Sequence, residues 1–297
     1  MKKLTCGILA LVLCLCISAA LAQEEISVPE VAWTFEVSLT TLNSSALQLV
    51  NNDNLLDADY EPENLVKVTD VKRANATAVY MDETAAEALV DMFNAAKQIT
   101  SYTYTTESGN QEEATFEEGM TLYLKSGYLS YGTQATAYAN YLARNNNVDN
   151  GEVAKPGASE HQTGLCADIL NADYAARATM TQDFQWTPEA QWMKENCTQF
   201  GFILRYGENA PASMGASFEP WHFRYVGRDA AWYITDKGIT LEQFNSEALF
   251  AIAQFEGAGG NVDEQIAYEF AKQSAPPMSY VLDEYGEDGD AEVSLVF

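Results

Sequence analysis

The chain contains two histidines, His161 and His222, and carboxylates flank both. Asp168 follows His161 by seven residues, and Glu219 precedes His222 by three. Neutral imidazole and carboxylate together suit a borderline metal such as zinc. A catalytic zinc takes three protein ligands and keeps a fourth position for water. His161, Asp168 and His222 supply three. Glu219 is left beside the metal-bound water, where a general base is needed. The reverse assignment, with Glu219 as ligand and Asp168 as base, is chemically allowed. Two unrelated imidazoles in an acid-rich chain would give the same composition, so spacing alone does not choose.

Short elements must hold these residues. Gly164 lets the backbone turn closely between His161 and the strand predicted to carry Asp168. Before it, alternation around Val31, Trp33, Phe35 and Val37 predicts an edge strand, and residues 51–63 read as a polar loop. Thr84 and Glu87 form a capping box for a helix over 84–98. Ala85, Leu89, Met92, Phe93 and Ala96 make its buried stripe. An exposed hairpin or loop is expected over 100–118, a strand over 121–125, and a helix over 134–144 burying Ala135, Tyr138, Tyr141 and Leu142.

Beyond the first histidine, Thr187-Pro188 starts a helix, Gly201 ends it, and 202–204 reads as a strand. A strand from Phe218 would put Pro220 and His222 on one face, leaving a bend to turn Glu219 toward the metal. Further helices are expected over 229–235, from about 240, and over 263–272, after the break at 257–260. Pro276-Pro277 and the acidic run 283–290 read as loosely ordered.

At 297 residues the chain can bury one sizeable core. Lys2 and Lys3, an apolar run over 8–20 and the small-residue site Ala20-Leu21-Ala22 predict a signal peptide over residues 1–22, so no retained membrane span is expected. The formal charge is −27, and losing Lys2 and Lys3 makes it more negative. That disfavours nucleic acid and anionic lipid as partners. Cleavage leaves Cys166 and Cys197, an even count that permits either a disulfide or two buried thiols. Neither cysteine is needed for a metal site already supplied by the His/Asp set.

The two metal segments read Ser159-Glu160-His161-Gln162-Thr163-Gly164-Leu165-Cys166-Ala167-Asp168 and Glu219-Pro220-Trp221-His222-Phe223-Arg224-Tyr225-Val226-Gly227. They resemble the two signatures of the VanY-like D-alanyl-D-alanine carboxypeptidases, zinc peptidases of bacterial cell walls in the M15 class. The likeness extends through 49–56, Tyr60-Glu61-Pro62, Ser126-Gly127-Tyr128, Ser130-Tyr131, Gln134 and 200–206, in the family's order. It implies that His161, Asp168 and His222 bind Zn2+ and that Glu219 is the catalytic base. Gln134, Tyr128, Ser159, Trp221 and Arg205 are then expected to contact substrate.

The implied fold is α+β, a small and mostly antiparallel sheet with packed helices, in a single zinc-peptidase domain. The expected organisation is a signal peptide (1–22), an N-terminal extension (23–45), the VanY-like domain (46–245) and an acidic C-terminal extension (246–297). The implied substrate is a peptidoglycan stem peptide ending in D-alanine, met outside the cytoplasm at the cell wall. Oligomeric state and the choice between D,D and L,D bonds stay open.

One position departs from the pattern. The family usually has arginine in the stretch that here reads Ser126-Gly127-Tyr128-Leu129-Ser130, where it is linked to substrate binding and transition-state charge. Leucine cannot donate to a carboxylate, and losing one such donor often costs about a hundredfold in rate. Three accounts follow: substitution by Arg205 or Arg224, action on internal bonds as an endopeptidase or amidase, or a catalytically impaired module that binds wall peptides.

Overall fold

The computed structural model describes residues 28–207 and 217–274; the expected signal peptide and the acidic run 283–290 lie outside them. In chain order the strands are β1 (Leu65–Lys67), β2 (Tyr80–Asp82), β3 (Ser101–Thr105), β4 (Gln111–Thr115), β5 (Tyr123–Ser126), β6 (Cys166–Leu170), β7 (Phe202–Leu204) and β8 (His222–Tyr225). The helices are α1 (Leu39–Leu42), α2 (Glu83–Ala96), α3 (Tyr131–Arg144), α4 (Ala172–Ala175), α5 (Pro188–Asn196), α6 (Arg228–Lys237), α7 (Leu241–Gly257) and α8 (Val262–Ser274). The fold is α+β, as the sequence implies. No described helix is long and apolar enough to cross a membrane.

The central sheet runs β5-β6-β8-β7, with every neighbouring pair antiparallel. Strand alternation divides its side chains between two faces. Ala167, Ile169 and Phe223 point into the main core with Leu89, Met92 and Phe93 of α2. Fully burying a side chain such as Phe223 contributes roughly 1.5–3 kcal/mol. Cys166 and Asp168 alternate with these residues and lie opposite Arg224 and His222 in the register. One face of β6 and β8 is therefore core, and the other carries the polar residues.

The buried stripe of α2 matches its sequence period, but its cap differs. Asp82, two residues before the expected Thr84, accepts from the N–H groups of Thr84 and Ala85. An ionised carboxylate at that position also complements the positive helix end. The 100–118 region forms the antiparallel hairpin of β3 and β4.

The expected strand around Val31–Val37 does not form. Exposure still alternates along this segment, but its inward residues meet helices instead of a sheet. Trp33 stacks edge-on to Phe255, and Phe35 packs against Tyr233 and Phe244. Val37, Leu47 and Ile203 join α6 and α7 in a second core. A period of two reports alternating burial, and a helical surface satisfies it as well as a strand partner does. From the other end of the chain, the Glu269 carboxylate of α8 accepts from the backbone N–H groups of Leu39 and Thr40.

Candidate metal centre

His161 sits in a 3-10 turn, Glu160–Thr163, that ends at Gly164 with φ 70°. A carbonyl can only accept, so His161 Nδ1, 2.6 Å from the Gly127 carbonyl oxygen, donates to it. That leaves Nε2 turned toward Asp168, 3.4 Å from Oδ2. The N–H of Leu129 donates to the His161 carbonyl at 3.1 Å. The segment 127–129 thus braces the first histidine from both its ring and its backbone.

His222 opens β8, immediately after a turn in which its N–H donates to the Glu219 carbonyl at 3.0 Å. The strand therefore begins at His222 and not at Phe218. Pro220 inside that turn supplies the bend and folds Glu219 back beside the ring. His222 Nδ1 is 3.2 Å from Asp168 Oδ1 and 3.8 Å from Glu219 Oε2. Its other nitrogen, Nε2, lies 3.4 Å from Glu160 Oε2. The two imidazoles stand edge to face with centroids 5.0 Å apart.

Each histidine thus has one ring nitrogen occupied by a backbone or carboxylate acceptor and the other turned toward Asp168. Such outer partners fix tautomer and ring orientation at metal sites. Two imidazole nitrogens meeting at a carboxylate, all buried, form a donor set that, once the imidazoles give up their protons, fits a metal ion. A second grouping was not foreseen from sequence: one ligating atom each from His161, Cys166 and His222 lie within 4.8 Å of one another. Cys166 and Cys197 are both buried and unbridged.

The electrostatics follow from this packing. Burial alone would lower both imidazoles, but Cys166 and Asp168 outweigh it and hold them well above the usual histidine value. Burial would raise the carboxyl of Asp168, and the two imidazoles hold it below the usual range instead. The Cys166 thiol is lowered in the same way, against its burial, by the two histidines. Glu219 behaves oppositely. Burial dominates there, Asp168 adds to it, and the carboxyl is pushed up to about 7 despite the opposing pull of His222.

Beneath the histidines lies a buried charge network. Glu160 Oε1 accepts from Arg205 Nε and from Arg224 Nη1, both at 2.8 Å. Arg205 extends both terminal nitrogens to Glu242 at 2.6 and 3.1 Å. Arg224 completes its donors on the carbonyls of Ala46 and Gln48. Arg205, expected at the substrate groove, has a side chain with no exposed surface and both its ends committed. It is a framework cation, and neither it nor Arg224 stands free to replace the missing family arginine.

The other expected substrate contacts frame the site. Gln134 is buried and its amide donates to the Ala154 carbonyl at 2.7 Å, which leaves its oxygen and a second amide hydrogen for a ligand. Ser159 and Trp221 are buried; Ser159 occupies the N-cap position of the turn bearing His161 without a side-chain capping bond, and the Trp221 carbonyl accepts from the N–H of Ile169 at 2.9 Å. Tyr128 and Leu129 are partly exposed. The loop 51–63 reaches the site through Gln162, whose amide donates to the carbonyls of Asp57 and Tyr60.

Comparison with known proteins bears on this geometry. The family described as VanY: D-alanyl-D-alanine carboxypeptidase matches residues 104–228, the span holding all four proposed metal and base residues. The chain is 35% identical to YodJ of Bacillus subtilis (strain 168), whose name assigns it provisionally to the carboxypeptidases, over 67% of this chain and 66% of that protein. The chain thus spans just under two thirds of that relative's length. Among solved structures, the LdcB LD-carboxypeptidase is 34% identical with TM-score 0.56, covering 67% of this chain and 85% of LdcB. VanYB in complex with D-alanine-D-alanine is 27% identical with TM-score 0.50, covering 68% and 97%. On the family match and the 34% identity to LdcB over 85% of its length, the chain belongs to the VanY-like D-alanyl-D-alanine carboxypeptidase family.

Proposed function

We propose that this protein is a zinc-dependent carboxypeptidase that removes the terminal D-alanine from peptidoglycan stem peptides outside the cytoplasm. The observation that carries the reading is the convergence of His161 Nε2 and His222 Nδ1 on Asp168, with Glu219 3.8 Å from the same nitrogen of His222. His161, Asp168 and His222 would hold the ion. Zinc bound there would supply a Lewis acid that polarises the scissile carbonyl and acidifies a water.

The chain's own residues do the rest. Glu219 takes a proton from the attacking water as the C–O bond forms, then passes it to the departing amine as the C–N bond breaks. Burial pushes its carboxyl up in the metal-free fold, and a cation bound beside it would favour the ionised form that accepts the proton. Gly127 and Glu160 hold the two rings so that no reorientation is needed during reaction. Family membership supports the amide substrate and the cell-wall setting.

A second reading rests on Leu129 together with the commitment of Arg205 and Arg224 to buried partners. With these arginines engaged, action on internal wall-peptide bonds, or binding without cleavage, becomes the alternative. Mass spectrometry of penta- and tetrapeptide stems incubated together with the zinc-loaded full chain separates the readings. Loss of one alanine from either peptide is expected and names the bond type. Cleavage elsewhere would support the internal-bond reading, and two intact peptides would overturn the carboxypeptidase assignment.

A further inference from the structure

The metal residues read from the sequence leave one potential donor at the site unused. Cys166 lies two residues before Asp168 on β6, so strand alternation sends both side chains to the same face. Across the ladder its opposite number is Arg224, next to the Asp168–His222 pair. The thiol is fully buried, and its sulfur and one nitrogen from each histidine lie within 4.8 Å of one another. A tetrahedral ion at about 2.0–2.3 Å from nitrogen and sulfur ligands requires donor separations of roughly 3.3–3.8 Å. Closing from the observed spacing to that range asks each side chain to move by under about 1 Å, within the reach of rotamer adjustment.

We propose that the Cys166 sulfur is itself a metal ligand, so that the site presents a His161/His222/Cys166 donor set alongside Asp168. The inference rests on the reading that the two histidines hold a metal, and extends it. Thiolate is a softer ligand than carboxylate and favours softer ions. The site should therefore rank cadmium above what a two-histidine, one-aspartate centre would. Coordination requires the thiol to lose its proton to solvent, so uptake of the ion releases one more proton than binding by the histidines and the already ionised Asp168. A thiolate together with Asp168 would also complete four protein ligands, which is the closed arrangement of structural zinc sites. Water must then displace one of them for chemistry to occur.

The deciding measurement is the near-ultraviolet absorbance of the full chain loaded with cobalt(II), read without any substrate. A sulfur-to-cobalt charge-transfer band in the wild type, lost in both Cys166→Ser and Cys166→Ala while the visible cobalt bands persist, is the expected result. Zinc affinity from chelator competition should fall at least about tenfold in Cys166→Ser. Stoichiometric cobalt with no charge-transfer band in the wild type would overturn the thiolate ligand and leave the His/Asp site standing. Failure of the wild type to bind cobalt or zinc at all would overturn both this inference and the metal reading beneath it. The chain has four other cysteines, so a band that persists in both variants would overturn the assignment to Cys166; Cys197→Ala, which should keep the band, controls for the other buried thiol among the described residues.

Discussion

His222 Nε2 faces Glu160 Oε2 at 3.4 Å, on the edge of the ring away from Asp168. The other oxygen of Glu160 is held by Arg205 and Arg224, which keep the carboxyl well below its usual range although burial opposes this. A chain of charge therefore runs from Glu242 at the start of α7 through Arg205 and Glu160 to the second histidine. Replacing Glu160 with Gln keeps the shape and removes the charge. Arg205 would keep Glu242, but Arg224, whose other partners are carbonyls, would lose its buried counterion, at a cost of about 3–5 kcal/mol. Loss of the carboxylate behind His222 should also weaken metal binding about 10–100-fold. Urea unfolding and chelator competition on the same variant check the two effects separately.

Glu219→Gln should retain metal affinity and lose hydrolysis by roughly 10²–10⁴-fold, measured on stem peptides after zinc loading.

The same substitution tests the raised pKa. In the metal-free fold Glu219 keeps its proton up to about pH 7, whereas the unfolded chain releases it near pH 4. The native state binds this proton more tightly. Stability from the group is then complete below about pH 4 and is lost as pH rises through 7. The wild type should lose roughly 3 kcal/mol relative to Glu219→Gln across that window. Thermal unfolding of both proteins from pH 4 to 8, with chelator present, measures the difference. A bound cation stabilises the ionised carboxylate, so zinc should shift the window to lower pH.

Leu129 offers a gain-of-function test. Its backbone N–H already holds the His161 carbonyl, so the position is fixed beside the first histidine. Leu129→Arg should raise kcat/KM on peptides with a free terminal carboxylate by about a hundredfold. Peptides amidated at that terminus should gain little. Equal gains on both would mean that the new cation does not read the carboxylate.

The candidate metal centre is more legible in the sequence than the framework behind it. Spacing alone does not choose among His161, Asp168, His222 and Glu219; the resemblance of their two short segments to the family's signatures does, and the structure brings the four side chains together. The stripe of α2 was legible because its burial follows the helical period. The segment around Trp33 was not, because alternation does not say what covers the inward side. Glu160, Arg205 and Arg224 pair across 45 and 64 residues, and no local pattern encodes such a pairing. Cys166 could have been placed with the site from strand alternation alone, since it is two residues from Asp168. Three ligands from the His/Asp set already complete a catalytic site, so composition gives no reason to add it.

Two glycines separate backbone geometry from mere flexibility. Gly164 has φ 70°, and a Cβ there would lie 2.8 Å from Leu65 Cδ2 and 2.9 Å from the Asp82 backbone nitrogen. That nitrogen donates to the Gly164 carbonyl at 2.9 Å, so the backbone cannot simply withdraw. Gly164→Ala should cost about 1–3 kcal/mol from the left-handed conformation alone, with more from the contacts. The turn carrying His161 would shift, and metal affinity should fall with stability. Gly132, in the first turn of α3, has nothing within 4 Å of its Cβ position. Gly132→Ala should instead stabilise by about 0.4–1 kcal/mol by restricting the unfolded chain, with metal affinity unchanged. Urea midpoints and chelator competition on the pair check this; a similar small effect at both positions would mean that Gly164 does not constrain the histidine turn.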